Sequence, residues 1–348
     1  MARLFFLNYV YACKMRILVT GGAGFIASHL VTHIVKTYPE YFVVNLDKLD
    51  TCSSVYNNDN VKGALNYKFI RGDITSADLI NYILESERID TIIHAAAQSH
   101  VDTSFGNSYS FTHNNVFGTH VLLESAKNSN IKRFIHVSTD EVYGSCEEDR
   151  KCEKSATNPT NPYSASKAAA ESIVRGYINS FNFPAIITRG NNVYGPNQYV
   201  EKLIPKFINR LFRNEKCCIH GDGSNRRHYL HVLDVVSAFD IILHKGIIGE
   251  TYNIGSLDEF TNMEVAKKLI TIIKEEIDFE KWIEYVPDRA FNDSRYYLSF
   301  EKLTALGWTP KYSFDFALAG VVAWYKKTDM SEHWSPKATI ALLPHPSS

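Results

Sequence analysis

Thr139, Asp140 and Glu141, followed by Tyr163 and Lys167, bring together side chains that could do acid–base chemistry. Tyr163 and Lys167 are four residues apart, so on a helix they share one face. An ammonium beside a phenol lowers the phenol pKa, which makes the pair a candidate base near neutral pH. Two adjacent carboxylates can divide their labour, because the charge of one keeps the other neutral. Together these groups suit an oxidation coupled to proton removal and proton delivery. Taken alone, a Tyr-x-x-x-Lys spacing arises by chance in most long chains, and an acidic pair is an ordinary strand end. Position decides between the two. Phe134-Ile135-His136-Val137 is a short apolar run, expected as a buried parallel strand that ends in Ser138 and Thr139. The carboxyl ends of strands are where open α/β sheets bind their ligands.

The elements upstream supply the context. Arg16-Ile17-Leu18-Val19-Thr20 has strand composition, Gly21-Gly22-Ala23-Gly24-Phe25-Ile26-Ala27-Ser28 follows at once, and an amphipathic helix is expected through about Lys36. Such a loop lets the backbone turn tightly and approach a pyrophosphate, whose charge the helix N-terminus stabilises. Its spacing is Gly-x-x-Gly, not the Gly-x-Gly of the standard dinucleotide fingerprint. A second strand over 41–46 ends in Asp47, where a carboxylate can accept from an adenosine ribose and repel a 2′-phosphate, so NAD is expected over NADP. Further strands are expected at 67–70, leading to Asp73 and Ile74, and at 90–94, leading to the small Ala95, Ala96 and Ala97. Helical patterns alternate with these strands and another follows at 185–188. The expected fold class is α/β, a Rossmann-type doubly wound parallel sheet with a smaller C-terminal substrate-binding lobe.

The chain has 348 residues, 45% of them hydrophobic, which is enough for one substantial core and a second lobe. A formal net charge of −1 gives no indication of a nucleic-acid or anionic membrane partner. No apolar run has the length of a spanning helix. Six cysteines without Cys-x-x-Cys spacing or matched histidines argue against a metal and against a disulfide framework, and fit a reducing, cytoplasmic setting. Cys217 and Cys218 are expected in a buried strand. Residues 1–14 are expected to be an N-terminal extension, whose opening resembles a secretory signal but is short and broken by Asn8. Residues 15–188 are expected to form the NAD-binding domain, with a returning segment near 229–255. Residues 189–228 and 256–330 would form the lobe, opened by the turn chemistry of 191–197, and 331–348 an irregular tail.

In this order the motifs resemble the extended short-chain dehydrogenase/reductase superfamily and, within it, the nucleotide-sugar 4,6-dehydratases. The carriers are Thr20-Gly21-Gly22-Ala23-Gly24-Phe25-Ile26, Asp47-Lys48-Leu49, Ser99-His100-Val101-Asp102, Ser138 through Gly144, Asn161 through Lys167, and Glu201 through Lys206. The resemblance implies tightly bound NAD and redox-neutral dehydration of a nucleoside diphosphate glucose, dTDP-glucose or UDP-glucose, to the 4-keto-6-deoxy sugar. Tyr163 would take the carbon 4 hydroxyl proton as hydride passes to NAD. Glu141 would remove the carbon 5 proton, and Asp140 would donate to the departing carbon 6 hydroxyl before hydride returns there. Thr139 would bond the carbon 4 oxygen, and Lys167 would hold the nicotinamide ribose and tune Tyr163. The cofactor positions implied are Gly21, Gly24, Phe25, Ile26, Asp47, Lys48, Asp73, Ile74, Ala96, Ala97, Gln98 and Asn114, with Tyr163 and Lys167. His100 and Thr139 would reach the sugar, and Asn192, Lys202, Leu203, Arg227, Asn262, Arg289 and Asn292 the nucleoside diphosphate. Guanidinium forks also suit phosphate oxygens on physical grounds.

The helix through 116–123 and that over 163–181 carry apolar residues beyond one core-facing stripe, and the resemblance likewise implies a homodimer. Four departures stand out: Ala27 in place of a third loop glycine, Val193 in place of an asparagine, Ala290-Phe291-Asn292 in place of Pro-Gly-His, and His228-Tyr229 in place of Asp-Trp. Related UDP-sugar decarboxylases usually carry Ser before the glutamate, and 4-epimerases usually lack both carboxylates. A regulator or scaffold that merely binds NAD would need none of the five acid–base residues together.

Overall fold

The structure is a computed structural model describing residues 14–146, 148–288, 292–334 and 336–343. The expected N-terminal extension, apart from Lys14, lies outside the described residues, as does Arg289. The chain opens with β1 (Met15–Thr20), α1 (Phe25–Thr37), β2 (Tyr41–Asp47), β3 (Tyr67–Arg71), α2 (Ala77–Ser86) and β4 (Thr91–His94). A helical stretch then passes through a π-helical segment, Thr112–Phe117, into α3 (Gly118–Lys127), followed by β5 (Arg133–Thr139), α4 (Pro162–Phe181) and β6 (Ala185–Gly190). Next come β7 (Asn192–Tyr194), α5 (Leu203–Phe212), β8 (Cys217–His220), β9 (Arg226–His231), α6 (Val232–Lys245) and β10 (Thr251–Ile254). The last main elements are β11 (Glu259–Thr261), α7 (Asn262–Lys274), β12 (Ile283–Val286) and α8 (Phe314–Lys327).

Seven of these strands form the large sheet in the spatial order β3-β2-β1-β4-β5-β6-β10, every pair parallel. The order reverses between β1 and β4, and a crevice opens at that switch point. Successive side chains of a strand face opposite sides, and the core follows that rule. Ile17 and Val19 of β1 share a buried cluster with Leu30 and Ile34 of α1 and Phe239 and Ile242 of α6. Leu18 belongs to the cluster on the other face, with Ile80 and Ile83 of α2, Leu122 and Leu123 of α3, and Val174 of α4. Burial on both faces is why these strands read as nearly continuous apolar runs.

The smaller lobe wraps α5, α7 and α8 around the sheet β11-β9-β7 and the pair β12-β8. Phe207, Leu211, Cys217, Ile219, Leu269, Phe314 and Val321 form its core, so Cys217 does lie in a buried strand. The tail is not irregular where it is described. Met330–His333 and Pro336–Leu342 are short helical turns. Met330, Ala338, Ala341 and Leu342 pack against Tyr199 and Val200, with Cys52 beside them. The Ser54 hydroxyl donates to the His333 carbonyl, and His333 Nε2 lies 2.7 Å from Asn57 Oδ1. An apolar cluster of this size was invisible as a pattern because its residues come from three distant segments.

A buried ion pair fastens α4 to β6. Arg189 Nε lies 3.0 and 3.2 Å from the two Glu171 oxygens and Nη2 lies 2.5 Å from Oε2, with side chains 2% and 3% exposed. The guanidinium also lies over the Tyr143 ring, 4.6 Å from its centroid. Removing one member of such a pair strands the other charge in a low-dielectric interior. Glu171→Gln is expected to lower unfolding stability by about 3–5 kcal/mol in chemical denaturation. The double substitution Glu171→Met with Arg189→Met should lose less. A Glu171→Gln loss under about 1 kcal/mol, the range of exposed pairs, would show that the pair does not anchor the helix.

Candidate active site

The carboxyl end of β5 carries the acidic pair. Thr139, its last residue, caps a single 3₁₀ turn, Asp140–Tyr143, accepting from the Glu141 N–H at 3.3 Å and donating to Asp140 Oδ1 at 3.2 Å. The β5–β6 register pairs Thr139 with Gly190, which brings Asn191 alongside. Asn191 Nδ2 donates to Asp140 Oδ2 at 2.7 Å, and Asn161 Nδ2 donates to Glu141 Oε2 at 3.1 Å. Both donors are neutral amides, so they orient the carboxylates without cancelling their charge. Burial, then the charge of Glu141, pushes Asp140 up to about 7. Burial also raises Glu141, against the Asn161 bond and the charges of Lys202 and Arg227. Such a pair can hold one shared proton near neutral pH.

Helix α4 presents the second group. Asn161 is its N-cap, with Oδ1 accepting from the Ser164 N–H at 2.8 Å while Ser164 Oγ accepts from the Asn161 N–H at 3.1 Å. Pro162 occupies the first turn, as the capping geometry favours. Using its oxygen as a cap turns the Asn161 amide nitrogen toward Glu141. Tyr163 and Lys167 follow on the buried side of the helix. The expectation that Lys167 lowers the Tyr163 pKa is corrected here. The ammonium donates to the Val137 carbonyl at 2.6 Å and is itself lowered to about 8 by burial, with Glu171 opposing. The phenol is raised far above its ordinary value, first by burial and then by Glu141, while a hydrogen bond with Thr139 pulls the other way.

A cleft of about 310 Å³ runs from the glycine loop to these groups. Its walls include Gly21, Gly24, Phe25, Ile26, Asp47, Lys48, Asp73, Ile74, Ala96, Ala97, Gln98 and Asn114, and its far end Thr139, Asp140, Glu141, Tyr163 and Lys167. Gly21 has φ +72°, and a Cβ there would come within 2.7 Å of Ala96 Cα, so this turn requires glycine. The N-terminus of α1 has no capping side chain and no acidic residue in its first turn, leaving its N–H groups for an anion. Asp47 accepts from the Ala23 and Leu49 N–H groups at 3.1 and 2.8 Å. Lys48 donates to Asn114 Oδ1 at 2.8 Å and lies 3.3 Å from Asp50 and 3.8 Å from Asp73. Glycine turn, open helix end and small-residue wall fit a dinucleotide.

A second cavity, about 140 Å³, adjoins the first. Glu141, Asn192 and Lys202 border both, while Leu203, Arg227, Asn262 and Asn292 line the second alone. Leu203 and Asn262 are the first residues of α5 and α7, so two helix N-termini face it beside two cations. Lys202 donates to the Ser99 carbonyl at 2.8 Å, and Arg227 Nη2 to Asn292 Oδ1 at 3.2 Å. His100 is buried in the first cleft, with Nδ1 3.3 Å from Glu201 Oε2 and Nε2 without a hydrogen-bond partner among the described residues. Burial, then Lys202, lowers its pKa to about 3. Every candidate residue named from sequence therefore lies on one of two connected cavities, Arg289 excepted because it falls outside the described residues.

Sequence reasoning missed Asn161 and Asn191, the two carboxylate holders. Asn-Pro-x-Ser is a helix-start signature that could have marked Asn161 as a cap. Nothing local marks Asn191, whose role comes from strand pairing.

The GDP-mannose 4,6 dehydratase family model matches residues 18–320. The chain is 52% identical over 334 residues to the trifunctional UDP-glucose 4,6-dehydratase/UDP-4-keto-6-deoxy-D-glucose 3,5-epimerase/UDP-4-keto-L-rhamnose-reductase of Arabidopsis thaliana, covering 95% of this chain and 50% of that protein. It thus spans about half the length of that relative. It is 49% identical to the dTDP-D-glucose 4,6-dehydratase of Mus musculus, covering 95% of this chain and 93% of the other. The crystal structure of dTDP-glucose 4,6-dehydratase from Streptomyces venezuelae, with NAD bound, superposes with a TM-score of 0.88 at 38% identity, covering 92% of this chain and 99% of that one.

The raised pKa of Asp140 sets a sign for stability. A carboxyl protonated more readily when folded contributes stability below its unfolded value near 3.8, which is lost as pH rises through about 7. Asp140→Asn should therefore melt at a higher temperature than the native protein at pH 8, and the difference should shrink toward zero at pH 4. Equal differences at both pH values would show that Asp140 is not held protonated by its surroundings.

Proposed function

Because the chain belongs to the GDP-mannose 4,6 dehydratase family, we propose that it carries out NAD-dependent dehydration of a nucleoside diphosphate glucose, dTDP-glucose or UDP-glucose, to the 4-keto-6-deoxy sugar. The observation that carries this reading is the adjacent pair of a buried Asp140 and a half-buried Glu141, each held by a neutral amide, next to the Thr139–Tyr163 hydroxyls. A decarboxylase, an epimerase or an NAD-binding scaffold has no use for two such carboxylates.

Bound NAD supplies a hydride acceptor for carbon 4, a hydride donor for carbon 6, and a positive charge in its oxidised form. The glycine turn and the α1 N-terminus would take the pyrophosphate, and Asp47 the adenosine ribose. Asp73 and Ile74 would border the adenine, and Lys167 the nicotinamide ribose. Asp47, Asp50 and Asp73 outnumber Lys48 around the ribose end, which disfavours a 2′-phosphate and so NADP. In the second cavity Lys202, Arg227 and the two helix N-termini would hold the diphosphate, with Asn192, Leu203, Asn262 and Asn292 around the nucleoside.

Tyr163 takes the carbon 4 hydroxyl proton while Thr139 bonds the oxygen. The resulting ketone acidifies the neighbouring carbon 5 proton, which Glu141 removes. Asp140 then gives its proton to the departing carbon 6 hydroxyl, which leaves as water. A carboxyl near pKa 7 is well placed for that donation. His100, whose Nε2 has no hydrogen-bond partner among the described residues, would meet the sugar.

The assembly proposed is a homodimer. Tyr109, Phe117 and Phe181 are 88%, 48% and 53% exposed, and α4 presents the small Ala165, Ala169, Ser172 and Gly176 to solvent between them. Small residues let a mate's helices approach closely. The setting proposed is cytoplasmic, and the five described cysteines are free thiols.

In single turnover with dTDP-glucose and UDP-glucose, Glu141→Gln and Asp140→Asn should show absorbance of reduced nicotinamide that decays on the order of a hundredfold to ten-thousandfold more slowly than in the native protein. Tyr163→Phe should show almost none. Normal product formation by Glu141→Gln would remove the carbon 5 base and with it the dehydratase reading. For the assembly, light scattering at micromolar concentration should give twice the chain mass, and a monomer would refute the dimer.

A further inference from the structure

Asp293 has no part in the chemistry above, yet it is 3% exposed and lines the second cavity with Glu141 and Tyr296. Its two oxygens are used unequally. Oδ2 accepts from the Tyr296 hydroxyl at 2.5 Å and from the Thr160 hydroxyl at 2.8 Å. Oδ1 is buried and has no hydrogen-bond partner among the described residues. A buried carboxylate oxygen without a donor is costly, and native proteins rarely leave one uncompleted. Its position beside a ligand cavity indicates that a ligand completes it.

Charge decides which part of the ligand. A carboxylate repels a diphosphate, so its partner must be a neutral donor. Thr160 immediately precedes Asn161, the residue that holds Glu141, and the charge of Asp293 acts on the Glu141 carboxyl. Asp293 therefore lines the second cavity on the side of Glu141, where the sugar would join the diphosphate. In the proposed reaction Tyr163 and Thr139 occupy the carbon 4 hydroxyl and Asp140 the carbon 6 hydroxyl, which leaves those of carbons 2 and 3. We propose that Asp293 Oδ1 accepts a hydrogen bond from a secondary hydroxyl of the hexose, at carbon 2 or 3, and so selects sugars that carry it. This inference rests on the proposed function and adds the recognition of the ring itself.

Asp293→Asn is the informative variant. Its amide oxygen can still accept from Tyr296 and Thr160, while its NH₂ replaces an acceptor with a donor. Relative to the native protein, kcat/KM for dTDP-glucose should fall about tenfold to a hundredfold, the usual effect of losing a hydrogen bond to a charged acceptor. One of dTDP-2-deoxyglucose and dTDP-3-deoxyglucose, already a poor substrate for the native protein, should lose less than about threefold further. Affinity for dTDP alone should be unchanged, which also reports an intact fold. Undiminished kcat/KM with dTDP-glucose, or equal losses on both deoxy sugars and glucose, would overturn the proposal. So would a loss confined to UDP-glucose, which would place the partner on the ribose 2′-hydroxyl. Calorimetric binding of the same ligands to both proteins decides the matter without turnover. Failure of the native protein to dehydrate any of them would count against the function, not against this contact.

Discussion

Two neighbouring carboxylates, Asp140 buried and Glu141 half-buried, sit at the end of one strand and are held by neutral amides and a hydroxyl, and the rest of the site is arranged around that burden. Cations in hydrogen-bond contact would fix both as anions and leave no acid. The buried guanidinium of Arg189, on the neighbouring strand β6, is instead neutralised by Glu171 and stacked on Tyr143. Lys202 and Arg227 act on Glu141 only through space, from the walls of the second cavity. Charge is thus distributed so that the acid–base pair stays protonatable while Lys202 and Arg227 remain in the neighbouring cavity.

Helix α4 works as the ruler of this arrangement. From one end to the middle it carries Asn161, Tyr163, Lys167 and Glu171, which respectively hold Glu141, face the Thr139 hydroxyl, reach the Val137 carbonyl and lock onto β6. The π-helical segment Thr112–Phe117 adjusts the opposite wall. Asn115 accepts from the Gln98 N–H at 2.8 Å and donates to Ser166 Oγ at 2.9 Å, while Asn114 meets Lys48. An extra residue in a helical turn re-aims neighbouring side chains, and here the two re-aimed residues are both polar links of the cleft.

What the sequence made legible was whatever local periodicity and spacing encode. The strand–glycine turn–helix opening, the parallel βαβ rhythm and the Tyr163–Lys167 face all have that character, and each has a counterpart in the structure. Interactions that join distant segments were not legible. Asn191 reaches Asp140 only because β6 pairs with β5, and Asp293 reaches Thr160 across 133 positions. The effect of Lys167 on Tyr163 was misjudged for the same reason, since helical spacing says that two side chains share a face but not which carbonyl one of them will find. The tail was illegible because its apolar residues find partners at Cys52, Tyr199 and Val200 rather than near themselves.

The pairing of β5 with β6 has one more consequence. Thr139 stands opposite Gly190, and the acid and its amide holder sit just beyond that rung. Losing one residue from either strand would swap its side chains between the two packed faces and turn the acid away from its amide. Such an event costs packing and chemistry together, so insertions and deletions should be filtered out of these strands strictly. The loops of the smaller lobe are under no such ratchet. Lineages built on this plan should accordingly record their history in the lobe, changing the sugar nucleotide they accept, while the rungs around Thr139 stay unaltered in length.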